Sequence, residues 1–387
     1  MKYSVHRRLV CAAVAAAATI ACADGSASSR PDESTWLVWT IRTTGTDLDP
    51  NGYTVLIDSS QTVAASINVT DSVRVATGTH ILRLGGVGSN CAVSGTNTST
   101  AHVEAGHHVA VAWAVSCKIR QIAVTLDTAS FIRIAILDRD GQNQSLVADV
   151  PGAEYVDSWS PDGTTLLYSN VIGSNTDLWL TGPDGSNRVR LTNTPITNHG
   201  GSWSPDGRLI AFHGRRAAAA AQVYLMNPDG SNQHAVTDGT WPNIYPRWSP
   251  DGMRLVLYEQ RGADVQVLTM NPDGTDRRYL TPLALRAVEP TWSPDGHRIA
   301  FTGTPESGSF VARELYVMNA DGSNIRQLTN AGKSVASPDW SPDGQFIVFT
   351  EQATPAMMRL SVYSVADATT QPLPVTSRQI LYPMWRP

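Results

Sequence analysis

Apolar residues in this chain come in short runs, and the spacing within the runs is that of β-strands. Leu37-Val38-Trp39-Thr40-Ile41, Tyr53-Thr54-Val55-Leu56-Ile57, Ser72-Val73-Arg74-Val75, His80-Ile81-Leu82-Arg83-Leu84 and His108-Val109-Ala110-Val111-Ala112-Trp113 alternate or nearly alternate. Period two places successive side chains on opposite faces of a half-buried sheet. Turn-forming stretches such as Asp49-Pro50-Asn51-Gly52 and Thr77-Gly78 separate the runs. Six or seven such strands within residues 35–118 predict a small β-sandwich.

From residue 119 onward the pattern repeats. Trp-Ser-Pro-Asp-Gly begins at Trp159, Trp203, Trp248, Trp292 and Trp340, and Trp385 starts a copy that the C-terminus cuts short. Successive tryptophans stand 44, 45, 44, 48 and 45 residues apart. That period fits propeller blades or helical arrays. The content decides for blades. Each motif is followed by a β-run such as Leu209-Ile210-Ala211-Phe212, then a third run such as Val223-Tyr224-Leu225-Met226. An Asn-Pro-Asp-Gly-Ser-Asn type turn then leads to a last strand ending in Leu-Thr. Four antiparallel strands per repeat make a blade. Pro-Asp-Gly sets a tight turn and the Trp ring fills the space between blades, so none of these residues needs a chemical role.

The count closes at six. Ile119–Leu126 matches a second strand, and Arg133–Leu137 with Asp140-Gly141 matches a third strand and its turn. Their first strand is Leu381-Tyr382-Pro383-Met384-Trp385 at the far end, so the last blade is composite and latches the ring. The predicted fold class is all-β, a six-bladed β-propeller over residues 119–387 preceded by a β-sandwich over 35–118.

The first 22 residues are set apart. Lys2, Arg7 and Arg8 precede an apolar stretch from Leu9 to Ala21, too short to span a bilayer. Thr19-Ile20-Ala21-Cys22 resembles a lipoprotein signal cleaved before Cys22, with Thr19 where leucine is usual. Lipidation of Cys22 is the expectation, ordinary cleavage nearby the alternative, and both export the chain to the periplasm or cell envelope. Residues 23–34 read as a flexible tether. Cys91 and Cys117 then remain as an even pair in an oxidising compartment, which predicts a disulfide. A metal site is the rival reading, but they lack Cys-x-x-Cys spacing.

Charged residues are 16% of the chain and the net charge is −5. No Lys/Arg cluster follows the leader, which argues against a nucleic-acid surface. The sole membrane contact expected is the lipid anchor.

The Trp-Ser-Pro-Asp-Gly, Asp-Gly-Ser-Asn and Leu-Thr elements resemble the WD40-like (PD40) repeats of the TolB family. The resemblance covers about 270 residues and implies the propeller fold. TolB carries an α/β N-terminal domain where this chain has a cysteine-bearing β-segment, so the role of TolB in its own assembly does not transfer. Gly78–Leu84 with Asn90-Cys91 resembles PEGA-like and other immunoglobulin-like surface domains.

Comparing the repeats with one another separates the two faces of the disc. Turns joining strands one to two and three to four are nearly constant and share one face. Connections between blades and the loops joining strands two to three vary, as in Gly214–Ala221 against Gly303–Ser309, and share the other. Variable loops on a rigid scaffold build binding surfaces. At the centre of that face, the residues three to five before each tryptophan ring the channel mouth: Glu154, Tyr155, His199, Tyr245, Glu289, Ser337 and Tyr382. They are the candidate binding residues; the alternative is that they line a water-filled channel. No Gly-x-Ser-x-Gly or His-Glu-x-x-His occurs, and Gln327 stands where a phosphate loop ending in Gly332-Lys333-Ser334 needs its first glycine. Some TolB-like propellers are lyases of pectic oligosaccharides that gather histidines and a metal in the channel. Here His199 alone falls in that register, while His213, His234 and His297 fall elsewhere in their repeats. Asp138-Arg139-Asp140-Gly141 aligns with an ordinary turn rather than a calcium loop. The expectation is therefore a binding protein without catalytic residues, cofactor or metal, whose partner is an envelope protein, peptide or glycan. The alternative is a carbohydrate-active lyase or hydrolase working in the channel.

Overall fold

The computed structural model describes residues 35–387 apart from 46–51, 88–89, 118–119, 128–130, 148–151, 195–196, 217–219, 305–311 and 331. The leader, Cys22 and the tether lie outside the described residues, as do parts of the two variable loops compared above. Strands dominate, with one short 3₁₀ turn at Leu283–Leu285. No helix among the described residues is long and apolar enough to cross a membrane.

Residues 36–117 form two four-stranded sheets. One runs Thr70–Arg74, Trp36–Gly45, His108–Cys117, Cys91–Val93; the other runs Gln61–Ala65, Tyr53–Ile57, Gly78–Gly85, Thr98–Val103. The alternation read from the sequence is the alternation of burial: Leu37, Trp39 and Ile41 from one sheet pack with Val55, Leu82 and Leu84 from the other. This interleaving of two inner faces makes the sandwich core. His107 and His108 are both exposed, and His107 Nδ1 meets the Ala105 carbonyl at 3.0 Å. Cys91 and Cys117 face each other across the antiparallel pair formed by the Cys91–Val93 edge strand and are joined by a disulfide.

Residues 121–385 form six four-stranded sheets. Their innermost strands are Ala153–Trp159, Asn198–Trp203, Asn243–Trp248, Val288–Trp292, Val335–Trp340 and Ile380–Trp385, which number blades one to six. Each of these strands touches the innermost strands of both neighbouring blades, so they close a ring. Blade six is composite: Ile380–Trp385 pairs antiparallel with Gln121–Asp127, as the repeat count predicts.

The repeated motif is a hydrogen-bonded unit. In all five copies the Ser Oγ donates to the Asp Oδ1 at 2.5–2.6 Å. The same serine oxygen accepts the backbone N–H five residues on, for example from Thr165 and Leu209 at 2.9 Å. The Asp Oδ1 also accepts the N–H two residues on, as from Arg208 at 3.1 Å. A tight turn with every local donor satisfied explains why four consecutive residue types recur. The Leu-Thr ending is equally constrained. Oγ1 of Thr192, Thr237, Thr281 and Thr329 accepts the N–H of Leu178, Val223, Val267 and Leu315 at 2.9–3.0 Å. This bond ties the fourth strand to the third.

The disulfide spans a separation of 26 residues, a loop closure that contributes roughly 3–4 kcal/mol in the chain-entropy model. Replacing Cys91 and Cys117 together by serine is expected to lower the denaturant stability of the sandwich by about that amount. Urea unfolding of the double variant, with and without reductant on the wild type, checks it.

Candidate functional site at the propeller axis

Every innermost strand carries a β-bulge, which in blade one falls at Asp157, between Val156 and Ser158. In blades two to six the register with the second strand skips two residues: Gly200-Gly201, Tyr245-Pro246, Glu289-Pro290, Ser337-Pro338 and Tyr382-Pro383. The first of each pair sits three residues before the tryptophan with φ in the left-handed region, at 63°, 53°, 54°, 53° and 50°. For a non-glycine residue that conformation costs on the order of 1–3 kcal/mol, and it persists where the surroundings hold it. The second skipped residue is proline in four of the five, which leaves no N–H to go unpaired at the break. Gly200 is required in blade two, because a Cβ there would stand 2.7 Å from Tyr245 Cδ1 and 2.9 Å from His213 Nδ1.

The bulges bring side chains from opposite blades together on the axis. Tyr245 of blade three and Tyr382 of blade six meet hydroxyl to hydroxyl at 2.7 Å, with ring centroids 5.7 Å apart. Tyr155 packs edge-on against Tyr382 at 6.3 Å. On the other side His213 stacks on His199 at 5.8 Å and meets Tyr245 at 5.0 Å, and Tyr258 stacks on Tyr245 at 6.2 Å. Glu289 Oε2 accepts the N–H of Ser337 at 2.8 Å and the hydroxyl of Thr302 at 3.3 Å. Six of the seven sequence-selected residues thus share one neighbourhood. Glu154 lies outside it. It is fully buried between strands, with Arg188 Nη1 donating to its Oε1 at 3.0 Å, in the position occupied by buried Asn198 and Asn243 in the next two blades. The residue five before this tryptophan is buried within the blades, whereas those three and four before the tryptophans form the aromatic cluster.

Beneath the tyrosines lies a charged layer. Arg247, the residue just before Trp248, donates through Nη1 to the carbonyls of Asp157 at 2.7 Å and Gly201 at 3.1 Å. Its Nη2 reaches Met384 Sδ at 4.0 Å, so this side chain spans from blade three towards blades one, two and six. Asp157 Oδ2 accepts from Ser169 Oγ at 2.6 Å and Oδ1 from the Gly200 N–H at 3.0 Å. Asp339 Oδ2 accepts the Trp385 N–H at 2.8 Å. Burial pushes Asp157 up to about 7 and Asp339 up to about 6, against the opposing pull of Arg247 and the hydrogen bonds. Desolvation also drives His213 down to about 3 and lowers His199, so both imidazoles are neutral at pH 7. The Tyr245 N–H points at His213 Nδ1 at 3.4 Å, which places the His213 proton on Nε2. Tyr382 is raised to about 12 by burial. The cluster above the charged layer thus carries neutral imidazoles and protonated phenols at pH 7.

Between the two layers remains a cavity of about 20 Å³ bordered by Tyr245, Arg247, Glu289, Ser337 and Tyr382, room for one water molecule. At this level Tyr245 and Tyr382 meet across the axis. Among the described residues no group of three or more His, Cys, Asp or Glu is placed to hold a metal ion. Sequence reasoning missed Arg247, Asp157, Asp339 and Tyr258, and set His213 aside. The available signal was the proline two before the tryptophan, which marks a strand break that re-aims its neighbour.

The comparisons with known proteins agree with the propeller fold. The TolB β-propeller domain family, PD40, matches residues 91–287 and 241–379. The chain belongs to this family. Among solved structures, TolB from Acinetobacter baumannii is similar at 22% identity with a TM-score of 0.61, covering 69% of this chain and 67% of that one. The putative TolB from Agrobacterium tumefaciens is similar at 20% identity and a TM-score of 0.54, over 68% of this chain and 90% of that one. A chain of the Nidogen/Laminin complex follows at 11% identity and a TM-score of 0.56, over 69% and 98%. No curated protein matches the sequence. At these identities the likeness establishes the fold of this PD40 chain and leaves its ligand to be argued from its own residues.

Asp157 supplies a test of the axial layer. Its folded-state value of about 7 lies above the ordinary 3.8, so between those limits the native state holds a proton that the unfolded chain has released. The stability it contributes is complete below about pH 4 and falls as pH rises towards 7. Asp339 acts with the same sign up to about 6. Asp157→Asn is expected to flatten the decline of urea stability between pH 5 and about 7, leaving the part due to Asp339. Unfolding curves across that range, for both proteins, read it out.

Proposed function

We propose that this chain is an exported, lipid-anchored binding protein that presents the variable face of its propeller to a protein or peptide of the cell envelope. The observation that carries the reading is the aromatic and imidazole cluster of Tyr155, His199, Tyr245 and Tyr382 at the centre of that face, with Tyr245 and Tyr382 turned inward by strained bulges. Strain concentrates where the surrounding structure has a use for it. Rigid aromatic rings with polar tips are effective protein-contact residues because they order little on binding. The similar chain crystallised in the Nidogen/Laminin complex belongs to a protein–protein assembly. The leader ending at Cys22 supports export and anchoring, and the Cys91–Cys117 disulfide suits an oxidising compartment. A cavity of about 20 Å³ has no space for a sugar ring, which weighs against lyase or hydrolase chemistry inside the bore.

Tyr155 and His199 are half-buried members of the cluster that take no part in the hydroxyl bond joining Tyr245 to Tyr382. Affinity capture from envelope extracts, wild type beside a Tyr155→Ala/His199→Ala variant, tests the site. A specific partner retained by the wild type and weakened at least tenfold in the variant is expected, since buried aromatic anchors contribute about 2 kcal/mol each. Equal recovery by both proteins, with the variant melting as the wild type does, refutes this location. Separately, Cys22→Ser is expected to move the protein from the membrane fraction to the soluble exported fraction, read by fractionation.

A further inference from the structure

The five inter-blade tryptophans that follow a complete motif form an internal comparison, because each is faced by the residue six positions after the preceding tryptophan. Leu209 packs against Trp248, and Phe346 against Trp385. Arg298 lays its guanidinium over Trp340, 4.8 Å from the ring centroid, with its Nη2 3.8 Å from Asp295 Oδ2. These three tryptophans are buried. The residue facing Trp203 is the short Thr165, and Trp203 is partly exposed.

Trp292 departs from the pattern for a different reason. The residue meant to face it is Arg254, the counterpart of Arg298, yet no cation stands over Trp292 among the described residues. Arg254 is drawn away by two substitutions in its own blade. Asp276 replaces the asparagine found at Asn187, Asn232 and Asn324, and accepts from Arg254 through its carboxylate and its carbonyl, both at 2.8 Å. Thr269 replaces Val317 of the next blade and accepts from Arg254 at 3.2 Å. Arg278 also binds Asp276, at 3.0 Å, and completes the hold. The outcome is a cavity of about 700 Å³ between blades three and four, on the constant-turn face, with Trp292 on one wall. Asp251, Asp295 and Asp321 line it as well, with Arg254 and Arg278, both tied to Asp276, and His297 on the remaining wall. Asp251 Oδ1 is engaged by Ser249 and the Met253 N–H, while its Oδ2, the counterpart of the oxygen beside Arg298, pairs with no cation among the described residues.

We propose that this cavity is a binding site for a cationic side chain of a partner protein or peptide, an arginine guanidinium above all, seated on Trp292 beside Asp251. The molecule itself displays the complex one blade further on, where Arg298 occupies the same place on Trp340. An aromatic face beside a carboxylate oxygen that has no cation within salt-bridge distance is the chemistry that attracts a guanidinium. The volume admits the side chain together with its flanking backbone. This site is on the opposite face from the aromatic cluster at the axis and stands independently of it.

The test uses the tripeptide acetyl-Gly-Arg-Gly-amide and its neutral citrulline counterpart, with the Trp292 indole N–H resonance as readout, assigned through Trp292→Phe. The arginine peptide is expected to shift that resonance saturably, at least about tenfold more tightly than the citrulline peptide. Asp276→Asn with Thr269→Val restores the pattern of the next blade. It should release Arg254 onto Trp292 and abolish binding without loss of thermal stability. Arg254→Leu, which copies the cover Leu209 gives Trp248, should do the same. A third arm with chitobiose distinguishes a sugar platform. Equal binding of the two peptides, binding of the disaccharide alone, no shift in the wild type, or unchanged binding in both closing variants each overturns the proposal.

Discussion

The propeller depends on one strand pairing, that of Ile380–Trp385 with Gln121–Asp127. It joins segments some 250 residues apart, and its flanks are fastened too: Ser377 Oγ donates to the Asp127 carbonyl at 2.5 Å, and Arg386 Nη1 to Gln121 Oε1 at 2.7 Å. Arg386 also lies over Trp159 at 5.0 Å and donates to the Gly163 carbonyl at 2.7 Å, so the closing strand grips blade one as well as blade six. A sheet array left open there would expose two strand edges, each a template for pairing with another chain. Closure also fixes the circumference, and with it how tightly six strands must crowd around the axis.

That crowding explains the site. Six extended strands converging on one axis bring more side chains to the centre than it can hold, and the bulges at the skipped pairs relieve this by turning one residue per strand. Where the centre is fullest the residue is glycine, at Gly200. Elsewhere the turned residues interlock, Tyr245 with Tyr382 across the full width of the ring. The Arg247 layer below follows the same rule. A guanidinium on the axis needs acceptors, and the carbonyls freed by the broken ladder at Asp157 and Gly201 provide them. A half-buried cation held by fixed carbonyls specifies geometry more than it adds stability.

Legibility in the sequence divides along the same line. The motif Ser and Asp bond to atoms within five residues of themselves, so one repeat contains its own explanation and five copies reveal the blade. The composite sixth blade was readable because its parts were recognisable leftovers. The axial contacts are different in kind. Tyr245 with Tyr382, or Arg247 with Asp157, joins residues 137 and 90 positions apart. Counting back from each tryptophan located the right strand ends but could not separate the inward position from the position buried within the blades, which is why Glu154 was grouped with Tyr155. The proline two before the tryptophan carried that phase information, and only the structure shows what it encodes.

Repetition also explains how an interior position can be given up to another use. Stability in a closed ring is shared among six similar interfaces, so leaving one tryptophan uncovered removes the contacts of a single side chain and no strand pairing. The Asp276 and Thr269 that hold Arg254 return part of that loss as hydrogen bonds within blade three. A departure from the repeat that keeps its own polar groups satisfied while exposing an aromatic face differs from mere drift, which would leave the arginine unpaired in the groove. The other partly exposed tryptophan, Trp203, is faced by the short Thr165, whose N–H stays in the ordinary motif bond to Ser160 Oγ. The repeat thereby separates an interface that is simply thinner from one whose charged residue has been given a new partner.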